Sequence, residues 1–194
     1  MENSVEGLRI AEICNDEKNQ GFANLLIGFI YFNLGDTNQV IPYYKKSLSL
    51  RQKLGNDYDI GYSYSYLGNF YSAKHQYDSA MFFHEKALEH RLKTYDTRSI
   101  ADSYLLIGAT NLKVKKYEKA IENFQKALLQ YAKINDKKRL AETYRNYAEV
   151  YIAQGNNVDA QNFLMQANQL AKETGSIDNL ILIADELAIL KSEE

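Results

Sequence analysis

The chain has 194 residues, 45% of them apolar and 25% charged, with one proline, one cysteine and ten glycines. This composition excludes a disordered chain and a disulfide framework, and it argues against a turn-rich all-β fold or a cysteine-rich zinc module. With 23 basic and 25 acidic residues the net charge is −2, so no global basicity points to nucleic acid. The longest apolar run, about ten residues around Ala23 to Phe32, is well short of the roughly 20 that span a bilayer. No charged region, apolar stretch and cleavage site open the chain, so no signal peptide is visible.

Self-comparison shows a period. Gly28, Gly68 and Gly108 are each 40 positions apart, and Ala148 continues the series. Val40, Ala80, Ala120 and Ala160 share a second register, and Ser47, Ala87, Ala127 and Ala167 a third. The breakers keep step at Gly55-Asn56-Asp57, Tyr95-Asp96-Thr97, Asn135-Asp136-Lys137 and Gly175-Ser176. So many registers agreeing without an insertion define repeating structural units.

In chain order, residues 1–17 read as the second helix of a truncated repeat. Gly7, Leu8, Ile10 and Cys14 lie 40 positions before Ser47, Leu48, Leu50 and Leu54, and Cys14 thereby takes a core register. The first full repeat, 20–59, predicts helices near 18–34 and 37–54. Pro42 falls just past the first turn of the second of these, where it deletes one backbone hydrogen bond. The second repeat, 60–99, predicts helices near 58–74 and 77–94. Ile60, Tyr64, Leu67, Gly68 and Tyr71 mark one face of the first, and Tyr77, Ala80, Met81, His84, Ala87 and Leu88 one face of the second. Gly68 is placed at the closest approach of the pair, with Ala80 and Ala87 as the opposing flat surface. The third repeat, 100–139, predicts 98–114 and 117–134, and the fourth, 140–179, predicts 138–154 and 157–173. In 180–194, Leu180, Ala184, Leu187 and Ala188 repeat the first-helix pattern, giving a lone helix near 177–190. Half-repeats at both ends make the chain an expected excerpt of a longer protein and leave room for self-association through those ends.

The pattern resembles the tetratricopeptide repeat (TPR) family. Its spacing of a large residue, Leu-Gly, Tyr, Ala, an aromatic and Ala is met by Tyr64, Leu67-Gly68, Tyr71, Ala80, His84 and Ala87. Tyr104, Ile107-Gly108, Asn111, Ala120, Phe124 and Ala127 meet it again. The period of 40 in place of 34, and Gln52, Leu92, Ala132 and Lys172 where the family carries a closing proline, are similar to the long-helix repeats of Pins/LGN-type adaptors, kinesin light chain and bacterial Rap-type or MalT-type regulators. The resemblance implies an all-α fold, an α-α superhelix of antiparallel pairs forming one solenoid over 1–194.

By the same resemblance, the first helix of each pair lines a concave groove at registers 2, 5, 9, 12 and 13, with Gly68 as register 8. These registers hold Phe22, Leu25, Phe29, Phe32 and Asn33; Tyr62, Ser65, Asn69, Ser72 and Ala73; Asp102, Leu105, Ala109, Leu112 and Lys113; and Glu142, Arg145, Glu149, Ile152 and Ala153. The expected partner-binding residues are Phe22, Leu25, Phe29, Phe32, Tyr62, Asn69, Arg145 and Glu149. The Lys and Asn of a chaperone-type carboxylate clamp are missing from registers 5 and 9. Of the polarity adaptors' asparagine ladder only Asn69 and Asn146 remain.

Catalytic and metal chemistry find little support. His75 falls in a turn, His84 in an aromatic core register and His90 on another face, without metal-ligand spacing. No histidine or basic cluster neighbours Cys14, and every regularly spaced glycine belongs to the repeat instead of a phosphate loop. Lys113 to Arg145 carries ten basic and four acidic residues, and Asn146 to Glu194 two basic and eight acidic. That asymmetry reads either as an anion-binding patch beside an acidic end or as solvated turn charge, the latter weighted higher. The expected function is a non-catalytic protein- or peptide-binding scaffold within a larger signalling or regulatory protein, without cofactor, metal, nucleic acid or membrane segment, and cytoplasmic by default. The alternative is the ligand- or peptide-sensing region of a bacterial regulator that controls an attached output domain.

Overall fold

The computed structural model describes residues 2–192 and, among them, ten helices and no strand. The chain divides into two compact units, Met1–Tyr95 and Asp96–Glu194. The first holds α1 (Glu2–Ile13), α2 (Glu17–Asn33), α3 (Thr37–Leu54), α4 (Asp57–Ala73) and α5 (Tyr77–Thr94). The second holds α6 (Thr97–Lys113), α7 (Tyr117–Lys133), α8 (Lys137–Ala153), α9 (Asn157–Thr174) and α10 (Ile177–Ser192). The principal contacts in each unit are within the pairs α2/α3 and α4/α5, or α6/α7 and α8/α9. The half-repeats take the places their registers demand, with α1 packed on α2 and α10 on α9.

The period is written into the turns. Every twentieth residue, Asn15, Gly35, Gly55, His75, Tyr95, Lys115, Asn135, Gly155 and Gly175, has a positive φ between 51° and 77°. A single left-handed residue reverses the chain and ends the helix before it. The next helix then starts on an Asx cap: Asp16, Asn56, Asp96, Asp136 and Asn156 each accept a hydrogen bond from a backbone amide of the following turn. Such a cap satisfies a donor that a helix start otherwise leaves free. α3 runs through Pro42 without a break.

Close packing within a pair is set by one glycine and one ring. A methyl group on Gly28, Gly68 or Gly108 would lie 2.5, 2.4 and 2.5 Å from Tyr44, His84 and Phe124, each sixteen residues further on. The surface opposite Gly68 is therefore the His84 ring, where the sequence pointed to Ala80 and Ala87; those alanines are fully buried beside it. In the fourth pair the combination changes at both positions. Ala148 replaces the glycine, Leu164 replaces the ring, and both are fully buried in one apolar cluster.

A second buried position seven residues after each ring varies in chemistry. Arg51 is buried against Gly21 and donates from Nη1 to the Asp59 carbonyl at 2.9 Å and to Ser63 Oγ at 3.2 Å. Arg91 lies against Gly61 and over the Tyr62 ring, 5.0 Å from its centroid. Tyr131 takes the register in the third pair and donates to Asp102 at 2.6 Å, and Ala171 takes it in the fourth. One reading needs correction: Cys14 is exposed, as is Leu54 forty positions later, so this register is a helix end and not core.

Candidate functional site

The groove registers fall into two kinds once the helices are in place. Register 5 is buried in the first three pairs. Leu25 is only 5% exposed and joins Val40, Tyr44, Leu67 and Phe70 in the core of the first unit. Ser65 and Leu105 are buried in the same way. The expectation that Leu25 offers an open groove surface is thus corrected: its side chain is spent holding α2 against its neighbours. Registers 9, 12 and 13 remain accessible, because they lie on the side of the helix away from its partner.

In the first unit these accessible registers make an aromatic face. Phe29 is 40% exposed and meets Tyr66 edge-on, with ring centroids 5.8 Å apart. Phe32 is half-buried, 6.2 Å from Phe70. Asn69 is exposed beside them, and Tyr62 is half-buried between Tyr58 and the Arg91 guanidinium. Phe22 does not belong to this face. It is 53% exposed and lines a separate cleft of about 470 Å³ between α1 and α2.

In the second unit α6, α8 and α10, with Lys115 and Tyr117, line an open cleft of about 400 Å³. Leu112, Ile152, Ala153 and Ile189 give it an apolar floor, and Lys113, Lys115, Glu149 and Glu186 give it charged edges. Arg145 fixes the geometry beneath. Its Nη1 donates to Glu149 at 2.5 Å and to Glu186 at 2.8 Å, while Lys113 Nζ stands 3.9 Å from Glu149. Burial works against the Arg145 charge, but the two carboxylates outweigh it and raise its pKa. Burial pushes the Glu186 carboxyl up, against the pull of Arg145, and Glu186 Oε2 is buried without a hydrogen-bond partner.

Arg145 and Glu149 thus come together as the sequence placed them, with Glu186 as a third member that sequence reasoning passed over. Continuing the groove registers into α10 reaches Asp185 and Ile189 and not Glu186, which lies one position on, so only the packing of α10 on α8 reveals it. The opposite charges of Lys113–Arg145 and Asn146–Glu194 also meet, at the cleft in Lys113–Glu149 and Arg145–Glu186 and away from it in Lys137–Glu173. The asymmetry therefore neutralises itself in part within one unit.

Elsewhere the titratable groups serve the fold. His84 is buried and its pKa is lowered to about 4, first by desolvation and then by the nearby Arg91 charge. His90 Nδ1 is 2.5 Å from Asp57, whose carboxyl it holds below the usual range. His75 Nδ1 is bonded to the Tyr77 hydroxyl at 2.8 Å. Among the described residues no group of three or more His, Cys, Asp or Glu is placed to hold a metal ion, and no helix is long and apolar enough to cross a membrane.

The tetratricopeptide repeat family model matches residues 21–93 and 99–173, most of the chain. Among curated proteins none matches the sequence. The fold is similar to BtubC (BKLC) from P. vanneervenii, with a TM-score of 0.76 and 16% identity over 98% of this chain and 89% of that one. It is also similar to aspartyl phosphate phosphatase F from Bacillus subtilis, with a TM-score of 0.81 and 16% identity over 91% of this chain and 45% of that one. A Rap protein solved in complex with competence and sporulation factor gives a TM-score of 0.74 and 15% identity, over 90% of this chain and 54% of that one. The chain thus spans about half the length of these last two proteins.

Proposed function

This chain belongs to the tetratricopeptide repeat family, and we propose that it is a non-catalytic module that binds a protein or peptide segment on the inner faces of its first helices. The observation that carries the reading is the cleft of the second unit. An apolar floor of Leu112, Ile152, Ala153 and Ile189 has the size of one or two side chains, and fixed charges at its edges orient what enters. A partner segment buries an apolar anchor on that floor, gaining roughly 1.5–3 kcal/mol for a large side chain. The first unit offers an accessible surface of its own at Phe29 and Asn69. Selection of peptides from a displayed random library on the intact chain tests this. Selected peptides should lose at least about tenfold in affinity for Ile189→Glu, as expected for an anchor contact, while the melting temperature stays near that of the parent because Ile189 is 54% exposed. Peptides that bind Ile189→Glu equally well, and Phe29→Ala equally well, would remove both faces from the binding site.

The second reading is the sensing region of a bacterial regulator, favoured by the likeness to the Rap protein solved with competence and sporulation factor. Under it a peptide shifts the population of two arrangements of the helix pairs and so controls an attached output domain. The genomic reading frame on either side of these residues discriminates the two: an adjoining output domain supports the sensor, and further repeats alone support the scaffold.

A further inference from the structure

The charges around the cleft of the second unit are unevenly spent. The cleft is open by position: registers 12 and 13 are half-buried and exposed in every complete pair, as Phe32 and Asn33, Ser72 and Ala73, Leu112 and Lys113, and Ile152 and Ala153. On its α8 and α10 side the two carboxylates already have their cation. Arg145 Nη1 donates to Glu149 at 2.5 Å and to Glu186 at 2.8 Å, and the second oxygen of Glu186 is buried out of an occupant's reach.

On the α6 side the cations are unspent. Lys113 is exposed, and its Nζ stands 3.9 Å from Glu149, beyond hydrogen-bond distance. Lys115 lines the cleft and Lys116 follows it; both are exposed, and neither makes an ion pair among the described residues. The turn that carries them is fixed. Lys115, at φ 58°, donates its N–H to the Leu112 carbonyl at 2.9 Å, and the Lys116 N–H donates to the Asn111 carbonyl at 2.9 Å. From Lys113 to Lys119 there are four lysines and one acid, Glu118. This edge therefore attracts an anionic group lying next to whatever fills the apolar floor.

The kind of cation narrows the kind of anion. Arginine's planar fork is the group that matches a carboxylate, and the arginine of this cleft is already taken by two. Lysine ammonium groups are point charges with rotatable donors, suited to an anion that carries more charge and offers oxygens in several directions. A phosphate monoester has about −1.5 to −2 charges at pH 7 and three strong acceptor oxygens.

We infer that the cleft takes a segment in which a phosphorylated serine or threonine stands beside the apolar anchor. The anchor lies on Leu112, Ile152 and Ile189, and the phosphate is held by Lys113 and Lys115. The inference rests on the reading of this cleft as a peptide site, and it makes binding conditional on modification of the partner. The unmodified segment keeps the anchor contact alone.

The test uses three sets of synthetic peptides, acetylated and amidated, with a fixed leucine and random flanks. The sets differ only in carrying phosphoserine, serine or glutamate two residues from the leucine. The intact chain should bind the phosphoserine set at least about tenfold more tightly than the serine set, with glutamate close to serine. Lys113→Gln with Lys115→Gln, both on exposed side chains, should abolish that preference and leave the weak binding of the serine set unchanged. Lys138→Gln, an exposed lysine outside the cleft, should leave the preference intact. Ile189→Glu should release all three sets. Equal binding of the phosphoserine and serine sets overturns the inference while the peptide site stands. Glutamate matching phosphoserine also overturns it and assigns the edge to acidic side chains. Loss of the preference in Lys138→Gln as large as in the double variant overturns it as diffuse attraction. Failure of all three sets to bind the parent, or binding that Ile189→Glu leaves unchanged, removes the peptide site and the inference with it.

Discussion

A methyl group on Gly108 would lie 2.5 Å from the edge of the Phe124 ring, and Phe124 is fully buried with nowhere to move. Gly108→Leu should therefore destabilise the protein by about 1–3 kcal/mol or more through overpacking. The fourth pair shows how the contact is rebuilt, with Ala148 and Leu164 in the equivalent places. Gly108→Ala and Phe124→Leu should each destabilise alone, the second by leaving a cavity. The double variant should cost less than their sum by roughly 1 kcal/mol or more, measured by chemical denaturation as a double-mutant cycle. Additive costs would mean that the two positions do not share one space.

His84 fills the ring position against Gly68, and burial lowers its pKa to about 4 from 6.5. Between these values the unfolded chain takes up a proton that the folded chain refuses, so stability must fall as pH falls from about 6.5 to about 4. The full loss is on the order of 3 kcal/mol at about 1.4 kcal/mol per pKa unit. His84→Phe places at this site the ring that Gly108 already accommodates at Phe124. Its denaturation midpoint should show a smaller slope over the same interval than the parent's. An unchanged slope would assign the acid sensitivity to other groups.

The period of 40 made the architecture legible, because a turn residue, a cap and a glycine–ring contact recur at fixed places and each is a local consequence of residue type. Helix limits such as 37–54 and 77–94 coincide with α3 and α5 for that reason. The site was less legible. Family register 5 names a groove position, yet whether a side chain there meets solvent depends on what stands beside the helix. Leu25 and Leu105 are apolar and go into the core, whereas Arg145 is held at the edge by two carboxylates. Phe22 and Phe29 hold groove registers 2 and 9 of the family pattern, but α1 separates their surroundings.

Tyr95 ends α5 in the left-handed region at φ 57° with its side chain almost wholly exposed. An L-residue there carries about 1–2 kcal/mol of steric cost, which glycine avoids. Tyr95→Gly should raise the melting temperature, with a gain of up to about 1 kcal/mol after the extra chain entropy of glycine is set against it. Gly155→Ala, at φ 75°, should do the opposite for the same reason. Equal and unchanged melting temperatures for both variants would mean that these turns relax to negative φ.

Arg145 is the one cation shared by Glu149 and Glu186, and with its side chain 16% exposed it has little water to fall back on. Arg145→Met keeps the length of the side chain and removes the charge. Glu149 then keeps Lys113 at 3.9 Å, while Glu186, whose carboxyl burial already pushes up, loses the one ion pair it makes among the described residues. Breaking such a pair strands a charge in a partly dry place, at a cost that reaches about 3–5 kcal/mol when burial is complete and is smaller at this edge. The loss should be local to α10, seen as faster amide exchange across Ile183 to Leu190 with the helices of the second unit's pairs unaffected. It should also depend on pH with a definite sign. A carboxyl whose folded-state pKa is raised favours the folded state below its unfolded pKa and loses that advantage as pH rises through the folded value. Protection of α10 in Arg145→Met should therefore recover as the solution is acidified, and the parent should show less of this recovery. Arg145→Met with Glu186→Leu should restore protection at neutral pH, because an apolar pair replaces the stranded carboxylate. If the double variant frays as much as the single one, α10 is held by Ile183 and Leu190 alone and the Arg145 network plays no part in shaping the cleft.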